Sequence, residues 1–264
     1  MKYKLLIGLL FILQSCNNND TNNDPDQSTI KYLTPENISY SILKVYPHDT
    51  SSFTQGLIIY NGNMYEGTGE KGSSKLLKVD YTTGKIEKSI SLDDKYFGEG
   101  ISILHDTVYQ LTWKEKTVFL YDLNFKKLKE IPFNTEGWGI TNDGKQLIVS
   151  DGSSNLYFYE PGSFKLLRMQ GITEAGNPAF NINELEYIDG FIYANQWQYN
   201  YILKINPSNG QVVGKADLTE VVNRVRAKDP KADFLNGIAY NAETKKIYVT
   251  GKRWPELYEI EFSH

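Results

Sequence analysis

A polar residue or tryptophan, followed in most cases by glycine, introduces a short apolar run, and this pattern recurs five times along the chain. Counted between the second positions of the five segments, the steps are 44, 39, 45 and 53 residues. Turn dipeptides such as Asn61-Gly62 and Asp189-Gly190 follow the apolar runs, and they tolerate the positive φ that tight hairpins need. The five segments are Gln55-Gly56-Leu57, Glu99-Gly100-Ile101, Trp138-Gly139-Ile140, Asn183-Glu184-Leu185 and Asn236-Gly237-Ile238.

A repeat of about 40–50 residues made of short strands is typical of a β-propeller, with one four-stranded blade per repeat. The sequence therefore predicts an all-β protein that folds as a five-bladed β-propeller. The 19 tyrosines and 12 phenylalanines suit this fold, because flat side chains pack well between blades. The first strand of each blade lines the central channel, so equivalent positions of the five repeats should converge on one ring.

The last blade needs a strand from the N-terminal side of the domain. After Asn236 the chain offers only three strand-like runs, and the run Tyr40–Tyr46 before the first repeat is predicted to supply the fourth. This closure removes free sheet edges. The long step before the fifth repeat is predicted to contain a helix over Thr219–Lys228, ended by Pro230. The predicted catalytic propeller domain spans residues 38–264.

The N-terminus has the pattern of a targeting segment. Two lysines precede an apolar run over residues 5–13, which is too short to cross a bilayer as a mature helix. The run ends near Cys16, the only cysteine of the chain, with a small residue before it as in a bacterial lipobox. We predict a lipoprotein signal peptide over residues 1–16 with a lipidated Cys16, followed by a flexible polar tether over residues 17–37. The alternative is an ordinary secretory signal with an incidental cysteine.

These features place the protein in the bacterial cell envelope, as a periplasmic or outer-membrane lipoprotein that contacts the membrane through its lipid alone. With a single cysteine, no internal disulfide can form. The net charge is −4, with 28 basic and 32 acidic residues and no basic cluster, which argues against nucleic-acid binding. We expect a monomer.

The channel positions carry chemically unusual residues for a scaffold. A second set of equivalent positions lies farther along each repeat and should form a ring next to the first, at one mouth of the channel. Together the two rings would hold a carboxylate, amides, indoles and an ammonium group. The two rings are Gln55, Glu99, Trp138, Asn183 and Asn236, and Gly69, Trp113, Gly152, Trp197 and Lys252.

Glu99 is the most informative member of these rings. A carboxyl group enclosed by tryptophan should have a raised pKa, which suits proton transfer near neutral pH. The alternative is that the polar residues of the channel only hold buried water. Two further carboxylates, Glu184 and Glu186, share one face of a strand and could reach the channel, where either could bind a cation.

Several segments, in the right order, resemble the plant-type glutaminyl-peptide cyclotransferases, a family with bacterial members. The resemblance covers roughly residues 40–262, and every blade contributes to it. The matching segments are Phe53-Thr54-Gln55-Gly56-Leu57, Phe97-Gly98-Glu99-Gly100, Glu136-Gly137-Trp138-Gly139, Asn183-Glu184-Leu185-Glu186-Tyr187, Ala194-Asn195-Gln196-Trp197, Leu235-Asn236-Gly237-Ile238-Ala239-Tyr240 and Thr250-Gly251-Lys252-Arg253-Trp254-Pro255.

The resemblance implies a five-bladed propeller that converts the N-terminal glutamine of a peptide or protein to pyroglutamate and releases ammonia, without a cofactor. It implies catalytic roles for Glu99, Gln55, Asn183 and Lys252. It also implies that the substrate is bound by a set of mainly aromatic residues, to which we add the ring position Asn236. This predicted substrate-binding set is Phe53, Phe97, Trp113, Trp138, Trp197 and Asn236.

The residue types fit this chemistry. The substrate's own α-amine attacks its side-chain amide, so no protein nucleophile is needed, and holding the reactive rotamer supplies much of the rate. Glu99 can take the amine proton and deliver it to the departing ammonia, while amide or indole N–H groups stabilise the oxyanion. The chain has only three histidines, His48, His105 and His264, which argues against catalytic zinc.

Two other functions are compatible with a propeller. A non-enzymatic propeller would bind a protein or small-molecule partner through an exposed patch, whereas the distinctive residues here fall on channel positions. A calcium-dependent lactonase or esterase propeller would show six repeats and a metal shell of acids and amides, whereas this chain has five repeats.

Overall fold

The structure, a computed structural model, describes residues 33–263. The predicted signal peptide and Cys16 lie outside the described residues. Within residues 33–263 no helix is both long and apolar enough to cross a membrane.

Five sheets, one for each repeat, make up most of the described chain, which confirms the five-bladed propeller. Two strands precede the first repeat, β1 (Glu36–Asn37) and β2 (Ser39–Pro47). Blade one contains β3 (Thr54–Tyr60), β4 (Asn63–Thr68), β5 (Lys75–Asp80) and β6 (Lys85–Ser91). Blade two contains β7 (Gly98–Leu104), β8 (Thr107–Thr112), β9 (Thr117–Asp122) and β10 (Lys127–Pro132). Blade three contains β11 (Ile140–Asn142), β12 (Leu147–Ser150), β13 (Asn155–Tyr159) and β14 (Leu166–Gly171).

A small hairpin, β15 (Thr173–Glu174) and β16 (Asn177–Pro178), leads into blade four. Blade four contains β17 (Ile182–Ile188), β18 (Phe191–Gln196), β19 (Tyr201–Ile205) and β20 (Val212–Asp217). The helix α1 (Thr219–Lys228) then precedes the last three strands, β21 (Leu235–Asn241), β22 (Lys246–Gly251) and β23 (Glu256–Ser263).

Blade five is closed by the N-terminal strand, as predicted. Its strand order is β2-β23-β22-β21, and β2 runs antiparallel to β23 along nearly its whole length. The strand is slightly longer than the predicted run Tyr40–Tyr46. Because the first and last segments of the domain share one sheet, opening the ring would break a full ladder of backbone hydrogen bonds.

The end of the predicted tether needs a correction. Glu36 and Asn37, placed in the tether, form β1 and add to the outer edge of blade four, parallel to β20. The physical reason is that Ile38 packs against this edge: its Cδ1 atom lies where a side chain at Gly214 would be, and its N–H donates to the Lys215 carbonyl at 2.9 Å.

The helix α1 has the predicted bounds. Its apolar face, Val221, Val222 and Val225, is fully buried against the cluster between blades four and five. Burying each such side chain stabilises the fold by about 1.5–3 kcal/mol.

The hydrophobic core is divided among the gaps between blades. Leu76 of blade one packs in one cluster with Phe119 of blade two, and the other four gaps hold equivalent clusters. Toward the axis the innermost strands approach each other through their backbones. A Cβ atom on Gly139 would lie 2.0 Å from the carbonyl oxygen of Asn183, so only glycine fits there.

Candidate active site

Irregularities at the start of the innermost strands present the first ring of polar residues. In β3 the register shifts between Thr54 and Gly56, which leaves Gln55 as an extra residue opposite β4. Such a bulge bends the strand and re-aims a side chain. Register shifts lie at the same point of β7, β17 and β21, and the segments they enclose contain Glu99, Asn183 and Asn236.

A cavity of about 290 Å³ lies among these side chains. This volume is at the lower end of the range for small-molecule sites. Nine of the ten predicted catalytic and substrate-binding residues line it; the exception is Asn236. The lining residues are Phe53, Gln55, Phe97, Glu99, Trp113, Trp138, Asn183, Trp197, Asp233, Phe234 and Lys252.

Aromatic rings in edge-to-face contact form much of the cavity wall. On one side Phe97 lies between Phe53 and Trp113, with ring centroids 6.2 and 5.6 Å away. On the other side Trp197 lies between Trp138 and Phe234, at 5.6 and 6.1 Å. These contacts fix the rings in place and keep the wall rigid.

The glycines of the second ring make room for this wall. A Cβ atom on Gly152 would lie 2.6 Å from the Trp138 ring, and one on Gly69 would lie 2.5 Å from the Phe97 ring. The two glycines therefore leave room for the rings of Trp138 and Phe97. The large side chains at the other positions of the second ring line the cavity.

Glu99 and Lys252 are the buried ionisable pair of the cavity. Their side chains are almost fully buried, and the Lys252 ammonium also lies 4.7 Å from the centroid of the Phe53 ring. Burial raises the pKa of Glu99 well above its ordinary value; the Lys252 charge opposes this increase, and the charges of Glu136 and Glu115 add to it. Burial lowers the pKa of Lys252, and Glu99 opposes that decrease. Burial thus favours the protonated form of the Glu99 carboxyl group, whereas Lys252 favours the ionised form.

The amide side chains have distinct surroundings. Asn236 lies behind the cavity lining, where its Nδ2 donates to the Thr54 carbonyl at 3.0 Å and to Gln55 Oε1 at 3.1 Å. Gln55 is thereby oriented with its own N–H groups left for the cavity. The Oδ1 atom of Asn183 is buried and has no hydrogen-bond partner among the described residues.

Comparison with known proteins shows the family to which the chain belongs. The family model described as glutamine cyclotransferase matches residues 9–262. The chain belongs to the glutamine cyclotransferase family. It is 39% identical over 225 residues to the Arabidopsis thaliana glutaminyl-peptide cyclotransferase. The aligned region covers 83% of this chain and 70% of that protein. The crystal structure of Myxococcus xanthus glutaminyl cyclase matches with a TM-score of 0.82 and 33% identity, over 87% of this chain and 98% of that one.

As a member of this family the chain is an enzyme, a glutaminyl-peptide cyclotransferase that forms pyroglutamate from N-terminal glutamine. The count of five blades also separates it from the six-bladed lactonases considered above.

Sequence reasoning missed three residues of this cyclotransferase site. Asp233 and Phe234 line the cavity but lie outside the two rings, in the segment that leads into β21. Glu136 accepts hydrogen bonds from the indole N–H groups of Trp113 and Trp138, at 2.7 and 3.3 Å. In the sequence, only the position of Glu136 two residues before Trp138 indicated that it could belong to the site. Its contacts leave Trp197 as the cavity tryptophan whose N–H has no acceptor within residues 33–263.

The carboxylates Glu184 and Glu186 reach the channel but do not line the cavity. Glu184 accepts the N–H groups of Leu57 at 3.2 Å and Ile238 at 2.8 Å, and Glu186 accepts that of Tyr240 at 2.8 Å. Burial raises the pKa of Glu186 to about 8 and that of Glu184 well above its ordinary value. Among the described residues no group of three or more acidic, histidine or cysteine side chains is placed to hold a metal ion.

Proposed function

We propose that Glu99 is the general acid and base for the cyclisation of an N-terminal glutamine bound in the aromatic cavity. The observation that carries this assignment is a carboxyl group that is buried, faces the cavity and forms no hydrogen bond with the residues that the structure describes. A group with these properties is held ready for the substrate. Burial raises its pKa from the ordinary carboxyl range toward that of the substrate amine, about 7.7–8.0.

The reaction needs one proton to move. The neutral α-amine attacks the side-chain amide carbon, and a new C–N bond forms while the carbonyl oxygen takes negative charge. Glu99 removes a proton from the attacking nitrogen and gives it to the amide nitrogen, which leaves as ammonia when the old C–N bond breaks. The carboxylate is regenerated at the end of the cycle. The aromatic wall contributes by holding the folded rotamer in which attack occurs.

The polar groups have complementary roles in this scheme. Gln55, oriented by Asn236, offers N–H donors to the developing oxyanion, and Trp197 offers its indole N–H. The free Oδ1 of Asn183 is an acceptor for an N–H of the substrate. Lys252 stabilises the ionised form of Glu99, which is present before the first proton transfer and after the second.

The N-terminal pattern supports a proposal about location. Cys16 is the lipidated residue of an envelope lipoprotein, and the catalytic domain acts as a monomer on peptides or proteins outside the cytoplasm. The support for this proposal is the apolar run that ends at the only cysteine, followed by a polar segment.

The experiment is an assay of ammonia release from a dipeptide that begins with glutamine, with mass spectrometry of the product. The purified protein should begin near Ser28, so that the signal segment is absent. The same dipeptide with an acetylated α-amine is the control, because it cannot attack. A folded protein without activity at roughly pH 6–9, where the amine passes from charged to neutral, would contradict the function.

A further inference from the structure

One carboxylate outside the cavity lining joins two of its walls. A single oxygen of Glu136, Oε2, accepts the indole N–H of Trp113 at 2.7 Å and that of Trp138 at 3.3 Å. Trp113 follows β8 in blade two, whereas Trp138 precedes β11 in blade three. Glu136 thus connects rings of two blades that belong to different halves of the aromatic wall.

The backbone around Glu136 is fixed. The next residue, Gly137, donates its N–H to the Thr112 carbonyl at 3.2 Å, and a Cβ atom there would lie 2.8 Å from both Thr112 O and the Leu111 side chain. Phe133, three residues before Glu136, is buried and donates its N–H to the Lys116 carbonyl. The carboxylate is therefore held against blade two before substrate arrives.

These bonds have a chemical consequence for the wall. An indole N–H is a donor only, so a ring bonded to Glu136 has no donor left for a substrate oxygen. Bonds to a charged acceptor are also stronger than neutral ones, and they fix the orientation of each ring. Trp113 and Trp138 should therefore contribute apolar contact surface rather than hydrogen bonds to the substrate. The donors for the oxyanion must come from other residues of the cavity.

We propose that Glu136 is a positioning residue for cyclisation, which locks Trp113 and Trp138 into one rigid wall against the substrate's glutaminyl side chain. Its negative charge has a second effect, because it favours the protonated form of Glu99. The positioning of Trp113 and Trp138 rests on the family's reaction alone. The effect of the Glu136 charge on Glu99 rests on the proposed role of Glu99.

The test compares three variants of the full catalytic domain. Glu136→Ala removes both hydrogen bonds and should lower kcat/KM by about 10- to 100-fold, mainly through a raised KM, since a misplaced wall weakens positioning. Glu136→Gln keeps one acceptor oxygen and should show a smaller rise in KM. Glu115→Gln is the matched control: Glu115 also raises the pKa of Glu99, but it bonds the Phe97 backbone N–H and Lys71 and touches no indole N–H.

The pH profile and the indole signals separate the effects. Glu136→Gln and Glu115→Gln should both move the acidic limb of kcat/KM to lower pH, because each removes a charge that raises the pKa of Glu99. The chain has four tryptophans, so the indole N–H resonances of labelled protein are few. Two of them, from Trp113 and Trp138, should move upfield in Glu136→Ala and stay in place in Glu115→Gln.

Unchanged indole resonances together with a normal KM in Glu136→Ala would overturn the proposal. If Glu136→Ala does not fold, Glu136→Gln decides it by the same two measurements. A Glu99→Gln variant with normal turnover would refute the role of Glu99, whereas the effect of Glu136 on KM and on the resonances would then still support the positioning role.

Discussion

Replacing Glu99 by glutamine tests the mechanism at its centre. The change keeps the size of the side chain and removes the group that titrates. Aromatic rings form much of the cavity wall and Glu99 is only 4% exposed, so bulk water has little access to replace the lost base. We expect kcat to fall by roughly 10²–10⁴-fold, the usual contribution of general acid–base catalysis. That range corresponds to about 2.7–5.4 kcal/mol in the activation barrier.

The expected effect is confined to kcat. Because the rings and the amides still surround the glutaminyl residue, KM should change little, which is the pattern for a group that acts mainly in the transition state. Steady-state ammonia release over a range of substrate concentrations measures both constants. Thermal unfolding of the variant shows whether the fold is intact.

Asp233 supplies the matched control, because it is the other carboxylate that lines the cavity. It is half-buried, and its Oδ1 already accepts the Phe234 N–H at 2.9 Å, so this carboxylate is held by the neighbouring backbone. Asp233→Asn should reduce kcat much less than Glu99→Gln does. Nearly normal turnover in Glu99→Gln, or a larger loss in Asp233→Asn, would refute the assignment.

Three further predictions concern binding, stability and location. Trp197→Ala should chiefly raise KM, because it removes wall area that contacts ground and transition states alike; a fall in kcat at constant KM would contradict this. Folded Glu186 keeps its proton up to about pH 8, whereas the unfolded chain releases it near pH 4.5, so the free energy of unfolding should decrease as pH rises through this window. Urea unfolding should show a weaker decrease for Glu186→Gln, and parallel curves for the two proteins would refute it. Cys16→Ser should release the protein into the soluble fraction with unchanged turnover, and continued membrane retention would rule out lipid anchoring.

The architecture was predictable because each of its signals is local and is repeated. The spacing of the five segments gives the blade count, and a missing strand after Asn236 points to Tyr40–Tyr46, which the structure pairs with β23. The valines on one face of Thr219–Lys228 give the helix in the same way. The β15–β16 hairpin had no such signal, because two-residue strands carry no period.

The site was predicted by position but its geometry was not. The repeats indicate that Gln55 and Glu99 converge, yet a bulge exists only relative to a partner strand, and a single segment does not show which residue is extra. The tether boundary failed for a related reason: Glu36 and Asn37 read as polar linker, and the edge of β20 that pairs with them is almost 180 residues away in sequence. Glu136 was missed because its importance depends on two tryptophans from different blades.

The one repeat that departs from the glycine pattern helps to explain how the site is held together. Where four repeats have glycine at the second position, the fourth has Glu184, directly after Asn183. Its two carboxylate oxygens accept N–H groups from Leu57, two residues after Gln55, and Ile238, two residues after Asn236. A single side chain thus ties the innermost strands of blades one, four and five together beside their bulges. Both oxygens of Glu184 have backbone partners. A structural role therefore fits Glu184 better than the cation binding that the sequence also allowed. We infer that this exception to the repeat fixes the spacing of the amide side chains on which a rigid, preorganised site depends.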